Sequence, residues 1–335
     1  MKIRGSEYQS EIIRRSEDQR KVSYWLRVGV SLLSFIYCLF FTLSVANASQ
    51  VVDLSDIGVG ARALGMGKAF TAVADDGSAL LTNPSGLALS SGLKVMSMAG
   101  NLMGEVPYTV LGVSYPLFNG VLGVSYLGAG VGGIKETRLN GITPEVTGDE
   151  GSFGAREFNL SYAKDLGKAK VGINLKLVSQ GFSGTPSFEG GNGSGLDFDL
   201  GALAFLNEET KVGLTIKNLI PGNNLGSDEL PMVIVGGVSK FFPKQKLTGA
   251  LDAEINRTLL LHAGLEWNPV ELLRVRVGLD QKPSFGGSIT NFSTGLGLTY
   301  RGFSFDYAYH TYAELGEFST HFFSLGYVGE EKKGK

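Results

Sequence analysis

The chain has 335 residues, only 19% of them charged, a net charge of −2, 48 glycines and a single cysteine. Glycine at about twice its average share weighs against a helical protein, because glycine costs about 1 kcal/mol in a helix relative to alanine. A near-neutral chain without a basic run has no electrostatic footing for nucleic acid, and one cysteine excludes a disulfide framework or a cysteine-ligated metal.

Met1 to Arg27 carry seven basic and four acidic side chains, and the eighteen residues from Val28 to Val45 carry none. Ala46-Asn47-Ala48 then offers an A-x-A cleavage site. Residues 1–48 are expected to be a signal peptide cleaved after Ala48, although the apolar core is also long enough for an uncleaved anchor. Cys38 lies inside that core, so cleavage leaves a cysteine-free chain suited to an oxidising compartment, with 23 basic against 28 acidic groups, net −5.

From Asp56 to Ala88 the chain reads DIGVGARALGMGKAFTAVADDGSALLTNPSGLA. Gly58, Gly60 and Ala63 satisfy G-x-G-x-x-A, and Asp75 and Asp76 follow at the distance of a ribose-binding acid. A dinucleotide fold needs helices alternating with parallel strands, and no helical pattern follows. The glycines then serve close packing, and ARALGMGKAF and DDGSALL are expected to form short helical turns.

Period-two alternation dominates the rest. In VGINLKLV, Val171, Ile173, Leu175 and Leu177 share one face. LDFDLGA sets Asp197 and Asp199, and LRVRVGL sets Arg274 and Arg276, on the opposite, polar face. Fourteen such segments begin near Leu93, Pro107, Asn119, Gly154, Ala169, Gly195, Lys211, Pro231, Lys246, Leu259, Leu272, Asn291, Gly302 and Phe318. Every second connection is short (PLF, DLGK, NEET, FPKQ, NPVE, RG). Several of the others are long and polar, above all Ala129 to Phe153; the one near NRT is short. A soluble β-sandwich also alternates, but its polar face is rich in Lys, Glu and Thr, whereas this one is Gly, Ser and Asn with few charges. Tyr115, Tyr126, Tyr162, Trp267, Tyr300 and Tyr327 fall near strand ends, as interfacial girdles do. The predicted fold is all-β: a transmembrane antiparallel β-barrel of 14 strands, since closure satisfies every backbone group in lipid.

His262, His310 and His321 lie on three different strands with no paired ligand spacing, so no metal is expected and solvated lumen or rim positions are. GVSYP, GVSYL and GVSKF lack the last glycine of a nucleophile elbow and sit mid-strand. No enzymatic activity and no cofactor are expected. Asp197, Asp199, Arg274 and Arg276 are lumen candidates, either pairing structurally or forming a polar gate. His321, Phe323, Leu325 and Tyr327 resemble the last-strand signal read by barrel-assembly machinery, although GEEKKGK follows.

The segment GVGARALGMGKAFTAVADDGSALLTNPSGLA resembles the N-terminal signature of the FadL-like outer-membrane family, in its PorV/PorQ branch; Lys68, Thr82 and Ser85 depart from the usual form. The resemblance implies that 49–92 is a hatch folded into the barrel, with Asn83-Pro84 turning the chain into the wall. The barrel would be 93–328 and a polar tail 329–335. Gly60, Arg62, Gly65, Asp75, Asp76, Asn83, Pro84 and Gly86 are then the hatch and gating candidates. The implied function is passive uptake of hydrophobic small molecules such as long-chain fatty acids. The alternative is a PorV-like scaffold or shuttle in type IX-like protein secretion, with Ala129 to Phe153 as its partner-binding surface. Expected partners are the outer-membrane bilayer, a hydrophobic solute and the barrel-assembly machinery, with secretion-system components under the alternative.

Overall fold

Strands that must face lipid on one side and the barrel interior on the other alternate in burial residue by residue, and β12 (Thr258–Val270) shows it directly. Leu259, Leu261, Leu265 and Trp267 are between 46% and 61% exposed, while Leu260, His262 and Glu266 are at most 4% exposed. The computed structural model describes residues 54–184, 192–225, 228–284, 287–313 and 319–329. The expected signal peptide (1–48), the start of the hatch and the tail beyond Gly329 lie outside the described residues.

The wall runs through β1 (Lys94–Leu102), β2 (Val106–Leu117), β3 (Gly120–Asn140), β4 (Thr143–Asp165), β5 (Ala169–Ser183), β6 (Gly193–Phe205) and β7 (Thr210–Lys217). Two short strands, β8 (Asn224–Leu225) and β9 (Asp228–Glu229), pair only with each other. The wall resumes with β10 (Val233–Phe242), β11 (Leu247–Asn256), β12, β13 (Leu273–Ser284), β14 (Gly287–Tyr300), β15 (Phe303–Thr311) and β16 (Ser319–Val328). Each wall strand pairs antiparallel with the next, and β1 closes on β16 from Lys94↔Val328 to Gly100↔Phe322. The result is a closed barrel of fourteen strands without an edge.

The connections after β2, β4, β6, β10, β12 and β14 are all short and lie at one end, where β1 begins and β16 ends; at the other end lengths vary, from the single residue between β11 and β12 to the long connection after β7. Phe118 and Asn119 (φ 54° and 58°) and Arg301 and Gly302 (φ 49° and 82°) form two-residue turns with both residues left-handed, the geometry that matches strand twist. Tyr115, Tyr162, Trp267, Tyr300 and Tyr327 ring this same end on the outer surface, forming one aromatic girdle. By the usual disposition of such barrels this is the periplasmic end.

Two expectations are revised. The predicted loop from Ala129 to Phe153 continues the strands instead. Pairing of β3 with β2 stops at Ala129 and of β4 with β5 at Ser152, yet β3 and β4 stay paired up to Asn140↔Thr143. They form a free two-stranded ribbon standing roughly 25 Å beyond the wall along the strands. Polar, glycine-rich composition reads as loop, but alternating Lys135, Thr137 and Leu139 against Glu150, Val146 and Pro144 suits a two-faced ladder. In addition, Asn83-Pro84 does not deliver the chain into the wall. Pro84 opens a 3₁₀ helix (Pro84–Leu89) inside the barrel, and the wall begins only at Lys94.

Because wall and hatch backbones touch at Gly278, where a Cβ would overlap Gly67 N and Met66 C, Gly278→Val is expected to destabilise the barrel by about 1–3 kcal/mol. A lowered unfolding midpoint in detergent checks it.

Candidate functional site

The hatch consists of α1 (Leu54–Ile57), α2 (Ala61–Gly65), α3 (Ala79–Thr82) and the 3₁₀ helix. None is long enough to hold itself together; each is held by the wall. Leu64, Met66, Phe70, Leu80 and Leu87 are fully buried. Gly60 starts α2 at φ 83°, a left-handed conformation that glycine adopts without cost. The Ala61 N–H donates to Ser324 Oγ of β16 at 2.8 Å, which satisfies one of the helix's orphan donors. A Cβ on Gly65 would come within 3.1 Å of Gly295 Cα. Asn83 is fully buried: its Oδ1 accepts from Ser85 N, and its Nδ2 donates to Thr71 O (2.8 Å) and Ala202 O (3.2 Å). Pro84 lies against Gly201, and Gly86 leaves room for the Ala74 carbonyl.

Arg62 is the electrostatic centre of the hatch. Its Nε and Nη2 donate in parallel to Glu266 Oε2 and Oε1 on β12 at 2.8 and 2.9 Å, and its Nη1 reaches Asp76 Oδ2 (3.0 Å) and Asp75. Its guanidinium carbon lies 5.2 Å from the centre of the Phe70 ring. Glu266 Oε2 also accepts from Arg276 Nε at 2.7 Å, and Arg276 Nη1 donates to Asp306 Oδ1 at 2.7 Å. Charges therefore alternate from hatch to wall: Asp75 and Asp76, Arg62, Glu266, Arg276, Asp306. The paired fork of Arg on carboxylate is the strong form of this contact. Burial alone would raise the Asp76 carboxyl, but Arg62 and the Ser78 N–H and hydroxyl overcome that and hold it below the usual carboxylate range.

Among the sequence-predicted lumen residues, Arg276 joins this network, and Arg274 lies half-buried on the same face nearer the periplasmic rim. Asp197 and Asp199 are elsewhere and hold the connection after β7. Asp199 accepts from Asn218 N at 3.0 Å and pairs with Lys176 at 3.2 Å; Asp197 accepts from Ile220 N at 3.0 Å and Asn223 Nδ2 at 2.8 Å. The four residues do not form one gate.

A second contact layer lies toward the outer end. Asp252 Oδ2 of β11 accepts from Phe70 N and Thr71 N, both at 2.9 Å. Lys68 donates to the Asp56 carbonyl and lies 3.9 Å from Asp280, which pairs with His310 at 2.6 Å. Above these contacts, between the hatch and β10–β13, is a cavity of about 500 Å³. Ile57, Val59, Phe70, Val235 and Leu260 give it apolar surface; Lys68, Glu254 and His262 give it polar groups; Asn256 and Pro283 border it at the outer strand ends. His262 Nε2 is 3.5 Å from Glu254 Oε2.

The histidine expectation is therefore corrected. His262 is 4% exposed and His310 fully buried, because the hatch fills the lumen and makes it protein interior. His321 faces outward, bonded through Nδ1 to Tyr307 Oη at 2.8 Å. The residues that composition did not single out, Glu266, Asp252, Asp280 and Asp306, all sit on inward positions, on β12, β11, β13 and β15. Glu266 stands two positions beyond Gly264 and four beyond His262 in the same register, which is the signal that could have found it.

Arg62→Ala leaves Glu266 and Asp76 without their main partner, and removing one member of a buried pair typically costs about 3–5 kcal/mol. The expected result is protease cleavage within 54–92 of a barrel that remains assembled. For the native chain, Asp76 contributes its full stabilisation above the ordinary carboxylate pKa and loses it only as pH falls through its lowered value. Hatch cleavage is thus expected to begin only below about pH 4, and at higher pH in Arg62→Ala; limited proteolysis across a pH series checks both.

No protein-family model matches the chain, and none of the curated proteins compared with it does. Among solved structures, the Ralstonia pickettii toluene transporter TbuX superposes with a TM-score of 0.61 at 13% identity, covering 84% of this chain and 100% of that one. The Pseudomonas putida toluene transporter TodX gives 0.58 at 13% identity, with 83% and 98% covered. A Pseudomonas aeruginosa FadL homologue gives 0.53 at 12% identity, with 79% and 97% covered. In fold, the chain is similar to these FadL-like barrels.

Proposed function

We propose that the protein is an outer-membrane barrel for passive uptake of hydrophobic small molecules, in the PorV/PorQ branch of the FadL-like group that its hatch signature resembles. The observation that carries this is the cavity of about 500 Å³ between hatch and wall, a size and a mixture of apolar surface with a few polar groups that ligand sites share. Solute enters at the outer end and rests against Phe70, Val235 and Leu260. Its way down is closed by the alternating charges around Arg62. Its way sideways is not closed in the same manner. The β12–β13 ladder ends at His262↔Asp280, and beyond that rung the Leu261 N–H donates to the Gln281 side-chain carbonyl at 2.9 Å. His262 and Gln281 line both the lumenal cavity and an apolar recess of about 720 Å³ reaching the outer wall. An apolar solute leaves through this notch into the bilayer, and no energy source is required.

TbuX and TodX are toluene transporters, so compact aromatics stand beside long-chain fatty acids as candidate solutes. The secretion-scaffold reading is supported by one observation of its own, the free β3–β4 ribbon. Leu139 (76% exposed), Val146 (57%) and Ile142 at the turn (98%) place apolar surface beyond the wall, where a protein partner could seat.

The test joins Leu261→Cys and Gln281→Cys, neighbours across the notch, in a chain whose native Cys38 precedes the expected cleavage site. Oxidation is expected to abolish uptake of labelled toluene or labelled oleate by cells, and reduction to restore it; the solute affected identifies the class. Uptake of neither solute, with a co-purifying protein lost when residues 139–146 are trimmed, selects the secretion reading instead.

A further inference from the structure

The lipid-facing surface beside the closure seam is not smooth. Two rungs of outward side chains run across β14, β15, β16 and β1 just above the periplasmic turns. The lower rung sets Tyr300 against Phe303 and Phe303 against Tyr327; the upper sets Phe305 against Leu325 and Leu325 against Ser97. Phe303 and Tyr327 pack at a tilt with ring centres 4.8 Å apart, and Tyr300 and Phe303 are each 63% exposed. The upper rung ends on Ser97, the smallest side chain of the set, so the surface drops where its neighbours stand tall. These side chains enclose a groove of about 410 Å³.

At its periplasmic end the two-residue turn places Arg301, whose guanidinium carbon sits 5.2 Å from the Tyr300 ring centre. An arginine resting on an aromatic face is held in place by the ring's quadrupole, while its donors stay available to a phosphate. The level is that of the inner-leaflet head groups, because the turn end carries the aromatic girdle. An apolar trough that opens beneath a fixed guanidinium at head-group depth matches one molecular shape, an acyl chain with an anionic phosphate at its end.

We propose that this groove binds one glycerophospholipid of the inner leaflet, an acyl chain lying between Tyr300, Phe303 and Tyr327 over Ser97, and the phosphate on Arg301. The site lies on the outer wall and is independent of the uptake reading. It also spans the β1–β16 closure, so an occupied groove covers the seam where the first and last strands meet.

The test is native mass spectrometry of the full-length protein, delipidated in detergent and titrated with phosphatidylglycerol, alongside the phosphate-free diacylglycerol of the same chains. The expected result is a single-lipid adduct that is weakened about five-fold by Arg301→Ala, as a surface cation worth about 1 kcal/mol implies. Ser97→Phe, which fills the trough without touching Arg301, should weaken it as much, and Leu177→Ala on β5 should not. The native protein should hold diacylglycerol no better than Arg301→Ala holds phosphatidylglycerol. Adducts without defined stoichiometry, equal adducts in the native and Ser97→Phe proteins, or equal binding of the two lipids would overturn the proposal. Heat-modified gel mobility, measured in parallel, shows that each variant is an assembled barrel.

Discussion

The contact on which most else depends is the fork between Arg62 and Glu266. An ionised side chain brought into a barrel interior loses its water, and only close partners with matched geometry offset that loss. Here the partners come from both parts of the molecule: Asp75 and Asp76 from the hatch, Glu266 from the wall, and beyond it Arg276 and Asp306. The hatch cannot leave without exposing Glu266 to Arg276 alone, and the wall cannot shift register without moving Glu266 away from Arg62. One arginine therefore fixes both the depth of the hatch and its rotation about the barrel axis.

Glycine does the complementary work. The hatch elements are too short to be stable by themselves, so their shape is a cast of the wall, and the cast requires backbone against backbone. Gly65 on Gly295 and Gly67 on Gly278 bring α2 and the following turn onto β14 and β13, and β13 also presents Arg276. Close approach and ion pairing thus reinforce each other at one side of the lumen. On the side of β10–β13 nearer the outer end the same closeness is absent, and the cavity lies there. The plug is therefore tight toward the periplasmic end and looser toward the outer end, where the cavity lies.

Much of this was legible in the sequence because a transmembrane barrel writes its fold in a period of two. Val171, Ile173 and Leu177 announce a lipid face, and the rhythm of short and long connections gives the strand count and the end that carries the turns. What alternation could not show is which inward residues meet. Asp197 and Arg276 look equivalent in the sequence, two charges on polar faces, yet one anchors a loop and the other locks the hatch, because strand order and tilt place them on different sides of the lumen. The ribbon was missed for a related reason. Glycine-rich, charged sequence is what a loop contains, and only the pairing of Leu139 with Pro144 and Thr137 with Val146 reveals two strands that continue without neighbours.

The histidines show how a filled lumen changes the meaning of a polar residue. In an open pore, His262 and His310 would be solvated and unremarkable. With the hatch in place they are interior groups that need partners. His310 has a close one in Asp280, at 2.6 Å, whereas His262 lies 3.5 Å from Glu254. That difference follows their positions: His310 lies where hatch and wall are in contact, His262 where they separate. His262 thus marks the rung at which the β12–β13 ladder ends, between the lumenal cavity and the recess in the outer wall.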